Sequence, residues 1–173
     1  MGRRDAAAYS KQGWRSVCVV LSIVGMSACK CAEPNPAAQR TEDLAKLPQG
    51  SGSLQDQLAA EAAGRPTGTP TLEALAAAVK ETVSFGVPRQ VYGQKMLASY
   101  CASADSLDGM LVTICEYPSP EQAKRGETES NLLFSKLAGH QSRVSKKSVL
   151  HLVARSDTPP EHVAKVLSTF EGL

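Results

Sequence analysis

The sequence predicts an α+β domain, a small two-layer sandwich in which helices pack on one face of an antiparallel sheet of three or four strands. Two observations predict it. Capped amphipathic helices alternate with β-patterned segments over residues 71–173, and the strands are joined by short turns, which favour antiparallel pairing. A length of about 100 residues is enough for one modest core.

The first helix of this domain is indicated by Thr69 and Pro70, a threonine cap followed by proline at the first helical position. Large apolar residues then recur at spacings of three and four: Leu72, Leu75, Val79 and Val83. Gly86 and Pro88 end the pattern. These residues predict an amphipathic helix that buries one side.

The predicted strands come in pairs. Residues 90–102 and 110–117 alternate in polarity around turn-forming residues at 105–109, which predicts a β-hairpin. Residues 143–145 and 149–154 flank a Lys146-Lys147 turn. This second pattern fits either a short strand followed by a buried one or a single long bent strand.

Two later helices each begin with a capping-box pattern. Ser119-Pro120-Glu121-Gln122 predicts a helix to about Ala138, with Gly139 as its stop. Thr158-Pro159-Pro160-Glu161 predicts the last helix, which ends near Gly172. Its apolar residues have helical spacing: Val163, Val166, Leu167 and Phe170.

The N-terminus has the pattern of an export signal. Four basic residues and a single acid occupy positions 1–15, and no charged residue occurs from Ser16 to Cys29. The apolar stretch, residues 17–28, is shorter than the ~20 residues of a spanning helix and ends in small side chains. We therefore expect residues 1–28 to be a signal peptide that is removed.

The end of this stretch, Met26-Ser27-Ala28-Cys29, resembles the lipobox of bacterial lipoproteins, although Met26 stands where leucine is usual. The resemblance implies lipidation of Cys29, cleavage before it, and a membrane-anchored protein of the bacterial cell envelope or periplasm. Some lipoproteins are retained at the inner membrane by an aspartate directly after the lipidated cysteine. Lys30 occupies that position here, which favours the outer membrane. An ordinary cleaved signal and an uncleaved anchor remain the alternatives.

Residues 29–70 are predicted to be a flexible tether. The segment from Lys30 to Pro70 contains no aromatic residue and five prolines, a composition that buries too little apolar surface to order a chain. Within it, Ser53 to Gly64 has the pattern of a short capped helix, which is marginal in water on its own. Without residues 1–28 the 19 basic and 17 acidic residues become 15 and 16, so no nucleic-acid partner is expected.

The cysteines divide by position. Cys101 and Cys115 come to adjacent strands when the hairpin folds, which predicts a disulfide; two buried free thiols are the alternative. Cys31 has no evident partner. No cofactor or metal is predicted, because His140, His151 and His162 lie in different elements. A nucleophilic set of Cys101 or Cys115 with His151 and Asp157 has no local support.

These observations favour a non-enzymatic binding or accessory domain on a lipid anchor, though enzymatic activity stays open. A partner protein would be met at the hairpin edge, near Met96, Leu97 and Tyr100, or at the first helix. A small enzyme or thiol-redox protein using Cys31, Cys101 or Cys115 is one alternative. A small-ligand-binding domain is the other.

Overall fold

The computed structural model describes residues 52–173, so the expected signal peptide, Cys29 and Cys31 lie outside the described residues. Four helices and five strands form. The helices are α1 (Leu54–Ala63), α2 (Leu72–Val79), α3 (Pro120–Phe134) and α4 (Pro160–Gly172). The strands are β1 (Arg89–Val91), β2 (Tyr100–Asp105), β3 (Met110–Glu116), β4 (His140–Ser145) and β5 (Ser148–Ala154). The predicted α+β class is confirmed.

The strands make one sheet in the order β1-β2-β3-β5-β4, and every neighbouring pair is antiparallel. The predicted hairpin forms as β2–β3, but its first strand is Tyr100–Asp105 rather than residues 90–102, because a 3-10 turn at Gln94–Met96 interrupts the expected strand. The second strand pattern resolves into a hairpin as well, because Ser145 pairs with Ser148 across the Lys146-Lys147 turn. The sheet has five strands rather than three or four, since residues 89–91 form a separate strand that pairs with β2.

One face of the sheet, the apolar face, carries the main core. Alternate residues of β2, β3 and β5 point to this face and pack against α2 and α4. Phe170 and Leu72 are both fully buried in this core. The other buried apolar residues of the core are Leu75, Val79, Val83, Ala102, Ala104, Met110, Val112, Ile114, Leu150, Leu152, Val163, Val166 and Leu167.

The other face, the mixed face, is covered by α3, so helices lie on both faces rather than on one. Ala123 of α3 packs with Cys101, Cys115 and Val149. The buried residues of α3 are small, which is why its apolar pattern is weak. Gly126 lies against Tyr117 so closely that a Cβ there would overlap the ring. Close approach of backbones replaces bulky side chains at this contact.

Of the three caps predicted for α2, α3 and α4, one forms and two do not. Ser119 caps α3 by accepting a hydrogen bond from the Gln122 amide at 3.3 Å. The cap of α2 is Thr71, because the Thr69 hydroxyl donates to Glu116. The Thr158 hydroxyl likewise donates to the Asp108 carbonyl oxygen, so α4 begins without a side-chain cap. Both threonine hydroxyls bond residues that are distant in the sequence, so neither caps the helix that follows it.

The described structure extends beyond the domain start expected at residue 71. Ser53 caps α1 with a reciprocal capping box through Asp56, and the segment from α1 to Pro70 contacts the sheet through side chains detailed below. No described helix has both the length and the apolar character required to cross a bilayer.

Candidate functional site

A row of polar side chains crosses the mixed face at one level of the sheet. Ser103 pairs with Thr113, Thr113 with His151, and His151 with Ser142. Directly paired residues point to the same face, so four strands contribute one polar side chain each. We call these four residues the polar row. The Ser103 and Thr113 hydroxyl oxygens are 3.0 Å apart.

His151 is the most unusual member of the polar row. It is 4% exposed, and its Nδ1 atom lies 3.4 Å from Nε2 of His140. Its Nε2 atom is buried and has no hydrogen-bond partner within the described structure. Burial, together with the nearby His140, lowers the pKa of His151 to about 4. The imidazole is therefore neutral at pH 7.

Phe134, at the end of α3, encloses the two histidines. Its ring centroid lies 5.2 Å from that of His140 and 5.4 Å from that of His151. The imidazoles are stacked with a 17° angle between their planes. Partial burial lowers the pKa of His140 too. The helix end and two strands thus form an aromatic environment around the two histidines.

This arrangement lacks the contacts of a nucleophilic site. The Ser142 hydroxyl donates to Glu127 at 2.9 Å, and the Ser103 hydroxyl donates to the Val112 carbonyl oxygen. Neither bond runs to an imidazole, so no serine–histidine pair is formed. Two imidazole nitrogens supply two ligands, fewer than a zinc site uses. Among residues 52–173, no three His, Cys, Asp or Glu side chains are grouped to hold a metal ion.

The predicted Cys101–Cys115 disulfide is present, below the polar row on the same face. The two residues are direct cross-strand partners with Cα atoms 4.1 Å apart, and both are fully buried. The structure does not assemble the Cys-His-Asp set considered from the sequence. Asp157 is exposed and pairs with Arg155, while His151 faces His140.

A second polar cluster joins the segment after α1 to the apolar face. The Arg65 guanidinium bonds Glu116 at 2.7 Å and Glu73 at 2.8 Å, and it lies 4.3 Å from the centroid of the Tyr100 ring. Glu116 is 1% exposed and also accepts a hydrogen bond from Thr69. The hydrogen bonds from Arg65 lower the pKa of Glu73.

Glu61 makes the companion contact from α1 itself. Its carboxylate is 2% exposed and accepts hydrogen bonds from the backbone amides of Gly93 and Gln94 at 3.1–3.2 Å. Burial raises the pKa of Glu61. We call Glu61, Arg65 and Thr69 the polar clasp. Local sequence carries no sign of it, because α1 has few large apolar residues, the partners of Glu61 lie 32 and 33 positions away, and Glu116 lies 51 positions from Arg65.

Exposed apolar side chains concentrate at one end of the sheet. The loop at Val87, the β2–β3 turn with Leu107, and the end of α3 meet there. Backbone hydrogen bonds connect them through β5. The Leu107 amide bonds Ser84, the Arg155 amide at the end of β5 bonds Gly109 of the turn, and the Ala154 amide bonds Gly139 after α3. We call this region the apolar end. Its residues are Val87, Leu107, Leu111, Leu132, Leu133 and Leu137.

Two grooves accompany these features, and both are open to solvent. One of about 340 Å³ lies between α4 and β4, and the other, of about 380 Å³, lies beside the β2–β3 turn. Neither contains His151. No protein-family model, curated protein or solved structure matches the chain.

Proposed function

We propose that this protein is a lipid-anchored component of the bacterial cell envelope, whose folded domain acts by binding at the end of a tether. The observation that carries the proposal is Met26-Ser27-Ala28-Cys29 directly after an uncharged apolar stretch. Two or more acyl chains on Cys29 would hold the protein at a membrane, since each buried methylene contributes about 0.8 kcal/mol.

The Cys101–Cys115 disulfide supports export of the domain. Disulfides persist in oxidising compartments such as the periplasm and are rare in the cytosol. Both cysteines are fully buried within the sheet. The disulfide therefore has the location of a structural bond. A thiol-redox activity would need an accessible, reactive sulfur, so the buried pair favours a binding role over that alternative.

The binding surface differs from the one expected from the sequence. Strand addition at β2 is blocked, because β1 already pairs with that edge. Leu97 is buried, and Tyr100 lies under Arg65. The apolar end instead presents large side chains to solvent, with Leu107 84% and Leu132 70% exposed. Concentrations of exposed apolar side chains mark interaction sites, which supports a binding function.

Intact mass of the protein expressed in a bacterial host tests the anchor. The native chain is expected to begin at residue 29 and to carry acyl mass, because the thiol of Cys29 is the attachment point. Cys29→Ala is expected to lose that mass. Cys31→Ala is the matched control, since it removes a neighbouring cysteine and should leave acylation unchanged.

Masses that differ only by the Cys29→Ala substitution, with no acyl mass on either chain, would contradict the proposal and leave a plainly secreted domain. Treatment of the same samples with reductant reads the disulfide separately. Unfolded, reduced protein should gain the mass of two protons relative to the oxidised form, and this gain is independent of the anchor.

A further inference from the structure

The chemistry of the apolar end distinguishes among the partners it can take. Its large exposed residues are all leucine or valine, and Val87 and Leu107 are 90% and 84% exposed in two separate loops. Protein-binding hot spots favour Trp, Tyr and Arg in enclosed pockets, while Leu and Val are under-represented there. Protruding aliphatic side chains without a pocket are better matched to the acyl boundary of a bilayer.

Arginines neutralise two of the three aspartates near the apolar end, which reduces repulsion from a lipid surface. Asp105 pairs with Arg89 at 2.7 Å and Asp157 with Arg155 at 3.2 Å, while Asp108 is hydrogen-bonded to the His162 imidazole at 2.8 Å. Lys136 is exposed within the leucine-bearing segment at the end of α3. A lysine beside aliphatic residues places its stem along apolar surface and its ammonium at the headgroups.

The length of chain before α1 permits this end to reach the membrane. The proposed lipid site, Cys29, precedes Leu54 by 25 residues, and an extended chain covers up to ~3.3–3.6 Å per residue, or about 80 Å. A six-residue strand is only about 20 Å long. Either end of the sheet therefore lies within reach of a bilayer that holds Cys29.

We infer that the apolar end rests on the lipid bilayer, with its leucine side chains at the acyl boundary and Lys136 among the headgroups. This inference deepens the proposed function and rests on it. Acylation holds the domain near the membrane, and the apolar end determines which part of the domain faces it.

Tryptophan fluorescence of the full, lipidated protein in phosphatidylethanolamine and phosphatidylglycerol vesicles tests the orientation. The single tryptophan of the sequence, Trp14, belongs to the segment that is removed before Cys29, so the lipidated protein contains no other reporter. Leu107→Trp places the reporter at the apolar end. Its emission is expected to shift to the blue and to lose most of its intensity when the vesicles contain brominated acyl chains.

Ser168→Trp, on the exposed side of α4 toward the other end of the sheet, is the matched control and should remain unquenched. Adding Leu132→Ser and Leu133→Ser to Leu107→Trp should abolish the quenching, because both leucines are exposed and the fold does not depend on them. Leu54→Ser, an exposed leucine elsewhere, should leave it intact.

Three results would overturn the inference, and they are distinguishable. Acyl mass with an unquenched Leu107→Trp reporter would leave the lipid anchor standing and refute the bilayer contact. Absence of acyl mass would refute the anchor and with it this inference. A blue shift that needs no vesicles and grows with protein concentration would assign the apolar end to a second copy of the chain.

Discussion

The two faces of the sheet bury side chains in different ways. On the apolar face, α2 and α4 cover a continuous layer of large aliphatic residues and Phe170. On the mixed face, α3 covers a disulfide, a buried histidine and small residues. The first face is stabilised by the area it removes from water. The second depends on particular bonds and on close backbone approach, so single changes there should act through identifiable groups.

The sharpest test of the apolar face is Phe170→Ala. The ring is fully buried, so its removal should lower the free energy of unfolding by about 3–5 kcal/mol. Urea denaturation measures the change. Leu132→Ala, at a residue that is 70% exposed, is the control and should stay within about 0.5 kcal/mol of the native protein. Equal effects would mean that the apolar face does not carry the main core.

Reduction of Cys101–Cys115 tests the mixed face. The bond joins residues 14 positions apart, and closing a loop of that size is expected to stabilise the protein by about 3 kcal/mol. Urea unfolding with and without reductant measures this difference, and a Cys31→Ala background prevents thiol exchange. An unchanged midpoint would show that α3 and the sheet hold this face without the bond.

Glu116 is the charged exception on the apolar face, and Arg65→Gln isolates its dependence on the polar clasp. The change leaves a carboxylate that is 1% exposed without its cation, which is expected to reduce stability by about 2–3 kcal/mol. Arg89→Gln breaks the exposed pair with Asp105 and should change the free energy of unfolding by less than about 1 kcal/mol. Similar losses in the two variants would contradict the buried character of the Glu116 pair.

His151 should make the mixed face sensitive to acid. Its folded pKa of about 4 lies below the ordinary value of 6.5, so the unfolded chain takes up a proton first as the pH falls. The contribution of His151 to the free energy of unfolding is fully present above about pH 6.5 and declines toward pH 4. It falls by about 2 kcal/mol between pH 7.5 and pH 5.

Comparison with His151→Gln by urea unfolding at both pH values measures this contribution. Subtracting the pH dependence of one protein from that of the other removes the contributions of other titrating groups such as Glu61. The raised pKa of Glu61 acts in the opposite direction. Identical acid losses in both proteins would refute the assignment to His151.

The contrast between the faces also explains how far the sequence predicts this molecule. Large residues at helical spacing in α2 and α4 predict that one side of each helix is buried. The β2–β3 hairpin brings Cys101 and Cys115 to adjacent strands, which predicts the disulfide. Small residues in α3 give no comparable periodicity, so its position on the mixed face was not predicted. The short strand β1 is stabilised by pairing with β2 rather than by its own pattern.

The candidate site was less predictable than the fold. The pattern of residues 149–154 predicts a buried strand around His151, and β5 confirms it. Its proximity to His140 depends on the β4–β5 register, and its contact with Phe134 depends on where α3 ends. The polar clasp depends on contacts between residues far apart in sequence. Local patterns contain no information about such pairings.

The polar clasp also determines where mechanical load enters the domain. Tension applied to the chain before Leu54 is carried first by the hydrogen bond from Gln90 of β1 to the Leu58 carbonyl oxygen, next by Glu61 at the Gly93 and Gln94 amides, and then by Arg65 at Glu116. Glu116 belongs to β3, a central strand paired on both sides. A pull from the N-terminal side is therefore divided between the edge strand β1 and the middle of the sheet, and Arg65 makes the central attachment.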